Sequence, residues 1–400
     1  MGLIKSLYLY SKYFTFSLFR KERTFVFRDA SRFFFSSFPK NLNIKLEKEK
    51  SFALEDAVNW LLKSQEMMKD QGFGSYHIIN KWSSSYPETS GYIIPTLIEF
   101  GEKTNNKAII KKAISSADWL VEIQKESGGW QGGRVEDDNP EIVFNTGQII
   151  RGLLAVYKIT KENKYLDSVV RAADWLCSVQ SIEGFWKQNA LMNRERVYDS
   201  YMDVPLILIY FLTSKKKYLE VAQKNIDWII NKKQKSNGWF EDCDNTIKNN
   251  DRPILHTISY TVDGLLDSGI ILCDDKMIEA AVKPTKILLE KFQKDGFLNG
   301  RFNSSWEGSE YMLLTGCAQI SIIWMKLYKI GKGKEYLEAA KKINTILVAI
   351  QKRGKKESLD TKGALSGSFP IWGRYEPFAF PNWATKYFVD SLMMENNSEK

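Results

Sequence analysis

One motif returns six times in this chain, and it constrains the fold more than any other feature. Three copies read plainly. Trp119 to Gln124 runs into Gly129-Trp130, Trp175 to Gln180 into Gly184-Phe185-Trp186, and Trp228 with Gln234 into Gly238-Trp239-Phe240. Weaker copies run from Trp60 to Gln65 before Gly72-Phe73-Gly74, from Leu288 to Gln293 before Gly296-Phe297, and from Ile346 to Gln351 before a longer loop. The glutamines are separated by 59, 56, 54, 59 and 58 residues. A spacing this long and regular means one supersecondary unit repeated about an axis.

Each period holds two helical patterns. The first ends at the repeated Gln. In residues 169–180, Val169, Ala172, Ala173, Leu176 and Val179 recur at three- and four-residue steps, while Arg171 and Asp174 take the other face, as an amphipathic helix requires. The glycines that follow stop this helix, since Gly tolerates a left-handed turn. The second pattern is more apolar all round. Its six instances are Gly91–Gly101, Phe144–Thr160, Tyr201–Thr213, Leu255–Gly269, Tyr311–Ile330 and Trp383–Met394. A helix without a polar face is buried on most sides. Six dry helices alternating with six wet ones predict an all-α fold, an (α/α)6 toroid of six hairpins with the dry helices as the inner ring. The competing architecture is an open solenoid of the same units. No segment alternates with period two, so almost no sheet is expected.

The ring occupies residues 51–400, and 44% hydrophobic residues with 12 Trp suffice for its core. Residues 1–50 form a separate arm. They carry 11 basic residues against 4 acidic, whereas residues 51–400 carry 46 against 44. The arm is also aromatic, from Tyr8 to Phe38. Two readings of it compete: attachment to an anionic membrane, or packing of its aromatics on the outside of the ring. The nearly neutral ring argues against nucleic acid as a partner. No apolar run reaches membrane-spanning length, and no signal-peptide pattern is visible. Four dispersed Cys and two His suggest free thiols in a cytoplasmic protein, with no metal or cofactor expected.

In such a ring the inner helices run the same way, and their N-termini gather at one mouth. Aligned dipoles there favour an anionic ligand. The residues at those starts are Trp82, Tyr86, Glu88, Thr89 and Tyr92 in the first repeat, and Trp130, Arg134, Asn145, Thr146 and Gln148 in the second. The third supplies Arg196, Tyr198, Asp199 and Asp203, the fourth His256, Thr257 and Tyr260, and the fifth Trp306, Glu307, Glu310 and Tyr311. The sixth supplies Trp372, Arg374, Tyr375, Glu376, Asn382, Trp383 and Lys386. Aromatics that stack on sugar rings, together with polar groups for hydroxyls, suit a carbohydrate cleft. The bland alternatives are that the acids are helix caps and that His256 is a satisfied core histidine. The repeated Trp119, Trp175, Gln124 and Gln180 are assigned to structure, because they recur with the fold.

Gln180-Ser-Ile-Glu-Gly-Phe-Trp186 resembles the repeat of the triterpene cyclases and, more loosely, of the protein prenyltransferase β subunits. That resemblance implies a toroid and an isoprenoid substrate. The cyclase D-x-D-D acid is absent, and the prenyltransferase zinc set has no counterpart near His256. Residues 51–400 also resemble the six-hairpin carbohydrate enzymes: unsaturated glucuronyl hydrolases, α/α-toroid polysaccharide lyases and the toroid domain of glucuronyl C5-epimerases. The stretches 86–92, 144–148, 256–260 and 381–383 are similar to toroid proteins of bacterial surface-polysaccharide loci.

These readings converge on a carbohydrate-active enzyme for an acidic or acetamido polysaccharide or its lipid-linked precursor. Three reactions remain open: hydrolysis, β-elimination and uronate epimerisation. For hydrolysis Glu88 and Asp199 form the first carboxylate pair, with Glu307 or Glu310 as substitutes. For the other two, Tyr260 or His256 handles the proton, and Arg134, Arg374 or a helix N-terminus neutralises the substrate carboxylate. An isoprenoid enzyme predicts a closed apolar chamber instead. A non-catalytic scaffold in glycan assembly predicts a basin plugged by side chains.

Overall fold

In the computed structural model, the described residues are 10–16, 19, 23–35, 38–39, 47–309, 311–351 and 358–398. A short helix α1 (10–16) and helix α2 (Arg23–Phe35) precede the ring. The outer helices are α3 (Glu47–Glu66), α5 (Lys107–Glu122), α7 (Asn163–Ser178), α9 (Lys216–Trp228), α11 (Asp275–Asp295) and α13 (Lys334–Ile350). The inner helices are α4 (Pro87–Lys103), α6 (Val143–Thr160), α8 (Ser200–Thr213), α10 (Leu255–Leu272), α12 (Leu314–Lys329) and α14 (Asn382–Ser398). Each inner helix packs on the next, and α14 packs back on α4, so the toroid closes.

The patterns explain the layers. In α7, Val169, Ala172, Ala173 and Leu176 are buried while Arg171 faces solvent. In α10 the chain is buried without interruption from Leu255 to Leu266. Glycines let the inner helices approach closely. A Cβ on Gly152 would meet the Gly91 carbonyl oxygen at 2.3 Å, and one on Gly264 would meet the Ser200 backbone at 2.4 Å.

The repeated glutamines are the seams of the outer ring. Gln124 Nε2 donates to the Gly128 carbonyl in its own loop at 2.8 Å and to the Ser168 carbonyl on α7 at 2.9 Å. Gln180 does the same to Gly184 and Val221. Gln65 reaches Lys112, and Gln234 reaches Ala280. Gln351 closes the circle by donating to Ala53 on α3 and to Gly363, each at 2.8 Å. Gln293 departs from the pattern: it is exposed, beside buried Phe292. Helices α5 and α7 stop before their Gln, at Glu122 and Ser178, whereas α3 and α11 run past theirs, and most of the glycines serve elsewhere than expected. Gly128 and Gly184 sit at φ +102° and +100° in the turn whose carbonyl receives the Gln. Only Gly296, at φ 76°, caps its helix directly, as the sequence reading assumed for all.

Sheet is almost absent among the described residues, as expected. Five two-residue strands stitch the rim: β1 (Tyr76–His77), β2 (Lys81–Trp82), β3 (Met312–Leu313), β4 (Ser368–Phe369) and β5 (Ala379–Phe380). β1 lies between β2 and β5, so the first and last loops are joined, and β3 pairs with β4.

The arm's α2 lies on the ring. Val26 is fully buried, Arg28 and Arg32 donate to the Ile350 and Ala349 carbonyls at 2.7 Å, and Asp29 accepts from the Ile371 amide at 3.0 Å. Phe33 stacks on Tyr311 at 6.2 Å. Phe19, Phe27, Phe34 and Phe35 nevertheless remain exposed.

Candidate active site

Short turns join the inner helices to the outer helices that follow them. The long connections all lie at the opposite end, where the inner helices begin. The N-cap residues of α4, α6, α8, α10 and α12 are Tyr86, Ile142, Asp199, Ile254 and Leu313, and none makes a side-chain capping bond. Of the outer helices, α5 and α11 are capped by Asn106 and Asp274, while α7, α9 and α13 also lack a side-chain cap. The mouth therefore gathers helix starts whose positive ends are not quenched by their own caps.

A cavity of about 210 Å³ opens at these starts. Its walls include Tyr86, Glu88, Thr89 and Tyr92 from the first repeat, Phe144 and Asn145 from the second, and Tyr198 from the third. His256, Thr257 and Tyr260 come from the fourth repeat, and Tyr375, Glu376 and Trp383 from the sixth. The lining mixes aromatic faces with polar groups, and the cavity is neither plugged nor purely apolar.

Glu88 sits directly after Pro87 at the start of α4 and is 8% exposed. Burial raises its carboxyl to about 7, and the neighbouring Tyr86 phenol limits the rise by hydrogen bonding. Glu376 occupies the left-handed region at φ 46° in the loop before α14. Burial raises its pKa too, opposed by the positive charge of Arg134. His256 Nδ1 lies 2.7 Å from Gln319 Oε1. An amide oxygen only accepts, so Nδ1 carries the proton and Nε2 is left as an acceptor. Burial lowers this imidazole to about 4, so it is neutral at pH 7. Its ring packs 4.4 Å from Tyr260. Trp383 donates Nε1 to the Tyr375 hydroxyl at 2.8 Å, which fixes two walls against each other. The buried Tyr260 phenol faces the Tyr387 phenol and the Asn145 amide faces the Tyr86 phenol, and both residues line the cavity.

The structure thus brings Tyr86, Glu88, Tyr92, Asn145, Tyr198, His256, Tyr260 and Trp383 together, with Thr89, Thr257, Tyr375 and Glu376 beside them. It places the other candidates elsewhere. Asp199 is 1% exposed and does not line the cavity. Burial raises its pKa, opposed by the nearby Arg196 charge. Asp203 is buried and accepts from Asn225 at 2.7 Å. Gln148 accepts from Arg151 within the core at 3.1 Å. Asn382 holds the Phe73 carbonyl, and Lys386 pairs with Asp390 at 2.7 Å below the Tyr387 ring. Trp82 stacks on Trp60, Trp130 donates to the Leu120 carbonyl, and Trp306 donates to the Asn237 carbonyl. All three serve the framework.

Glu307 stands exposed on its loop, accepting from Asn303 at 2.8 Å. Glu310 lies outside the described residues. Arg134 is exposed near Glu376, Trp372 packs under Phe34, and Arg374 lines a second, outer cleft. Glu376, expected at the mouth with the sixth repeat but not among the candidate reacting acids, lines the cavity. Ile142, Phe144, Leu191 and Asn245 were not anticipated at all, and loop residues such as Leu191 carry no periodicity that would reveal them. Among the described residues no group of His, Cys, Asp and Glu is arranged to hold a metal ion.

Comparison with known proteins agrees with this architecture. An unsaturated glucuronyl hydrolase from Bacillus sp. GL1 superposes with a TM-score of 0.68 at 15% identity, over 86% of this chain and 96% of that one. An unsaturated glucuronyl hydrolase specific for heparin gives 0.70 at 14% identity, over 88% and 98%. A structure described as a novel alpha-amylase from Clostridium perfringens gives 0.63 at 13%, over 86% and 97%. None of the curated proteins compared is similar to the chain. Residues 88–293, just over half of the chain and reaching from Glu88 through the fourth inner helix, match the family described as Beta-L-arabinofuranosidase, GH127 catalytic domain. The closed six-hairpin ring is therefore that of a carbohydrate-active enzyme of the glycoside hydrolase type, and the chain belongs to the GH127 catalytic-domain family.

Proposed function

We propose that the inner cavity hydrolyses the glycosidic bond of a terminal acidic sugar, with Glu88 as general acid and Glu376 as the carboxylate that activates water. One observation carries this reading: Glu88 is a carboxyl held half-protonated near neutral pH on an aromatic wall, with a second carboxyl lining the same cavity. A group poised near 7 exchanges its proton with a leaving oxygen most effectively. Burial raises Glu376 as well, and Arg134 opposes that rise by favouring the charged form that a base needs. Neutral His256 and the Asn145 amide offer hydrogen bonds to sugar hydroxyls, while Tyr86, Tyr198 and Trp383 supply stacking faces. The helix starts and Arg134 favour a carboxylate on the sugar. The glucuronyl substrates named for the structural neighbours support a uronate in that position.

The test is cleavage of a panel of uronate-terminated oligosaccharides, followed by mass spectrometry. Wild type should release the terminal sugar. Glu88→Gln and Glu376→Gln should each lose about 100-fold or more in kcat, with unchanged circular dichroism. Full activity in both variants would refute the assignment.

The exposed aromatics of the arm support a second element of this reading, contact with an anionic membrane surface. No helix among the described residues is long and apolar enough to cross a membrane. Attachment would therefore rest on residues such as Phe19, Phe27, Phe34 and Phe35.

A further inference from the structure

A second cleft of about 810 Å³ adjoins the inner cavity and shares Tyr375 with it. Three loops build it. The loop into α10 supplies Lys248 and Arg252, the loop into α12 supplies Arg301, and the loop into α14 supplies Arg374. Asp251 is the one acid among the described lining residues. Arg301 is already engaged, with buried Asp244 at 3.1 Å and the Arg252 carbonyl at 2.8 Å. Lys248, Arg252 and Arg374 are exposed and pair with no acid among the described residues. Cations from separate loops around one concavity repel one another until an anion joins them, and they focus a positive potential there. Their number and the cleft's size exceed what a single carboxylate needs. One wall leads to the arm: Tyr311 stacks on Phe33, and Trp372, two residues before the cleft residue Arg374, stacks at 6.3 Å on exposed Phe34.

We propose that this outer cleft binds the diphosphate of a lipid-linked glycan. The sugar end enters the cavity of Glu88, and the lipid follows the exposed phenylalanines of α2. Multiple guanidinium and ammonium donors suit the several oxygens of a diphosphate, and an aromatic face beside it suits an isoprenoid chain lying at a membrane surface. The proposal rests on the glycan reading of the inner cavity, yet its test does not require turnover.

The full chain is titrated calorimetrically with inorganic pyrophosphate at low salt. It is then sedimented with phosphatidylcholine vesicles containing a polyprenyl diphosphate, or with vesicles carrying the same charge as phosphatidylglycerol. Pyrophosphate should bind, and Lys248→Gln, Arg252→Gln and Arg374→Gln should each weaken it by about tenfold, with thermal melts unchanged because these side chains are exposed. The diphosphate vesicles should be preferred. Pyrophosphate binding indifferent to all three substitutions overturns the proposal, and so does equal affinity for the two vesicles. Either result would stand even if soluble uronate oligosaccharides are cleaved.

Discussion

Glu88 sits where two effects oppose each other. The start of α4 favours an ionised carboxylate through the helix dipole, worth roughly 0.3–1 kcal/mol. Burial favours the neutral acid, and the net rise to about 7 shows that burial wins. The same shift makes a stability prediction. A carboxyl raised from 4.5 to about 7 holds its proton in the folded state while the unfolded chain has released it. Stability is therefore full below about 4.5 and falls as pH rises through 7, by roughly 3 kcal/mol. Urea midpoints measured from pH 4.5 to 8 should fall in wild type, and fall less in Glu88→Gln. A parallel pH dependence in both would mean that Glu88 is not the shifted group. Glu88 was legible in the sequence because it follows Pro87 at a predicted inner-helix start. Asp199 has an equivalent position yet is buried off the cavity, near the Arg196 charge, which no spacing records. Glu376 was the reverse case: its loop has no period to place it, and its left-handed backbone is one that non-glycine residues seldom adopt.

Among the elements, the outer helices were legible as elements, though not at their starts, because their apolar stripes and Gln markers repeat. The roles of the glutamines follow from geometry rather than from pattern. Gln351 ties α13 to α3, so Gln351→Ala removes the buried donor shared by the Ala53 and Gly363 carbonyls and should cost about 2 kcal/mol in denaturant unfolding. Gln293→Ala, at the exposed fifth copy, should change stability by less than about 0.5 kcal/mol. Equal costs would show that the motif contributes through something other than these seams. The tiny strands escaped detection because two residues are too few to show alternation. The arm's packing was one of two open readings. Its buried contacts through Val26, Asp29 and Arg28 coexist with exposed Phe34 and Phe35. If the arm docks on membranes, Phe34→Ser with Phe35→Ser should reduce sedimentation with anionic vesicles several-fold and leave the melting temperature nearly unchanged. Undiminished sedimentation would assign those rings to another use.

For the whole molecule, closure of the ring turns a sixfold repeat into a single asymmetric site. The glutamines, glycines and apolar stripes obey the repeat, whereas Glu88, His256 and Glu376 each occur once on it. That division is why the toroid could be read from periodicity and the chemistry could not. A framework residue announces itself by recurrence, but a reacting residue is defined by the neighbours that closure brings to it. The most direct measurement is turnover of a uronate-terminated oligosaccharide in heavy-oxygen water. Hydrolysis through Glu88 and Glu376 predicts release of the terminal sugar, with one heavy oxygen entering across the broken bond. Products lighter by one water and free of the label would mean elimination, and would contradict the account.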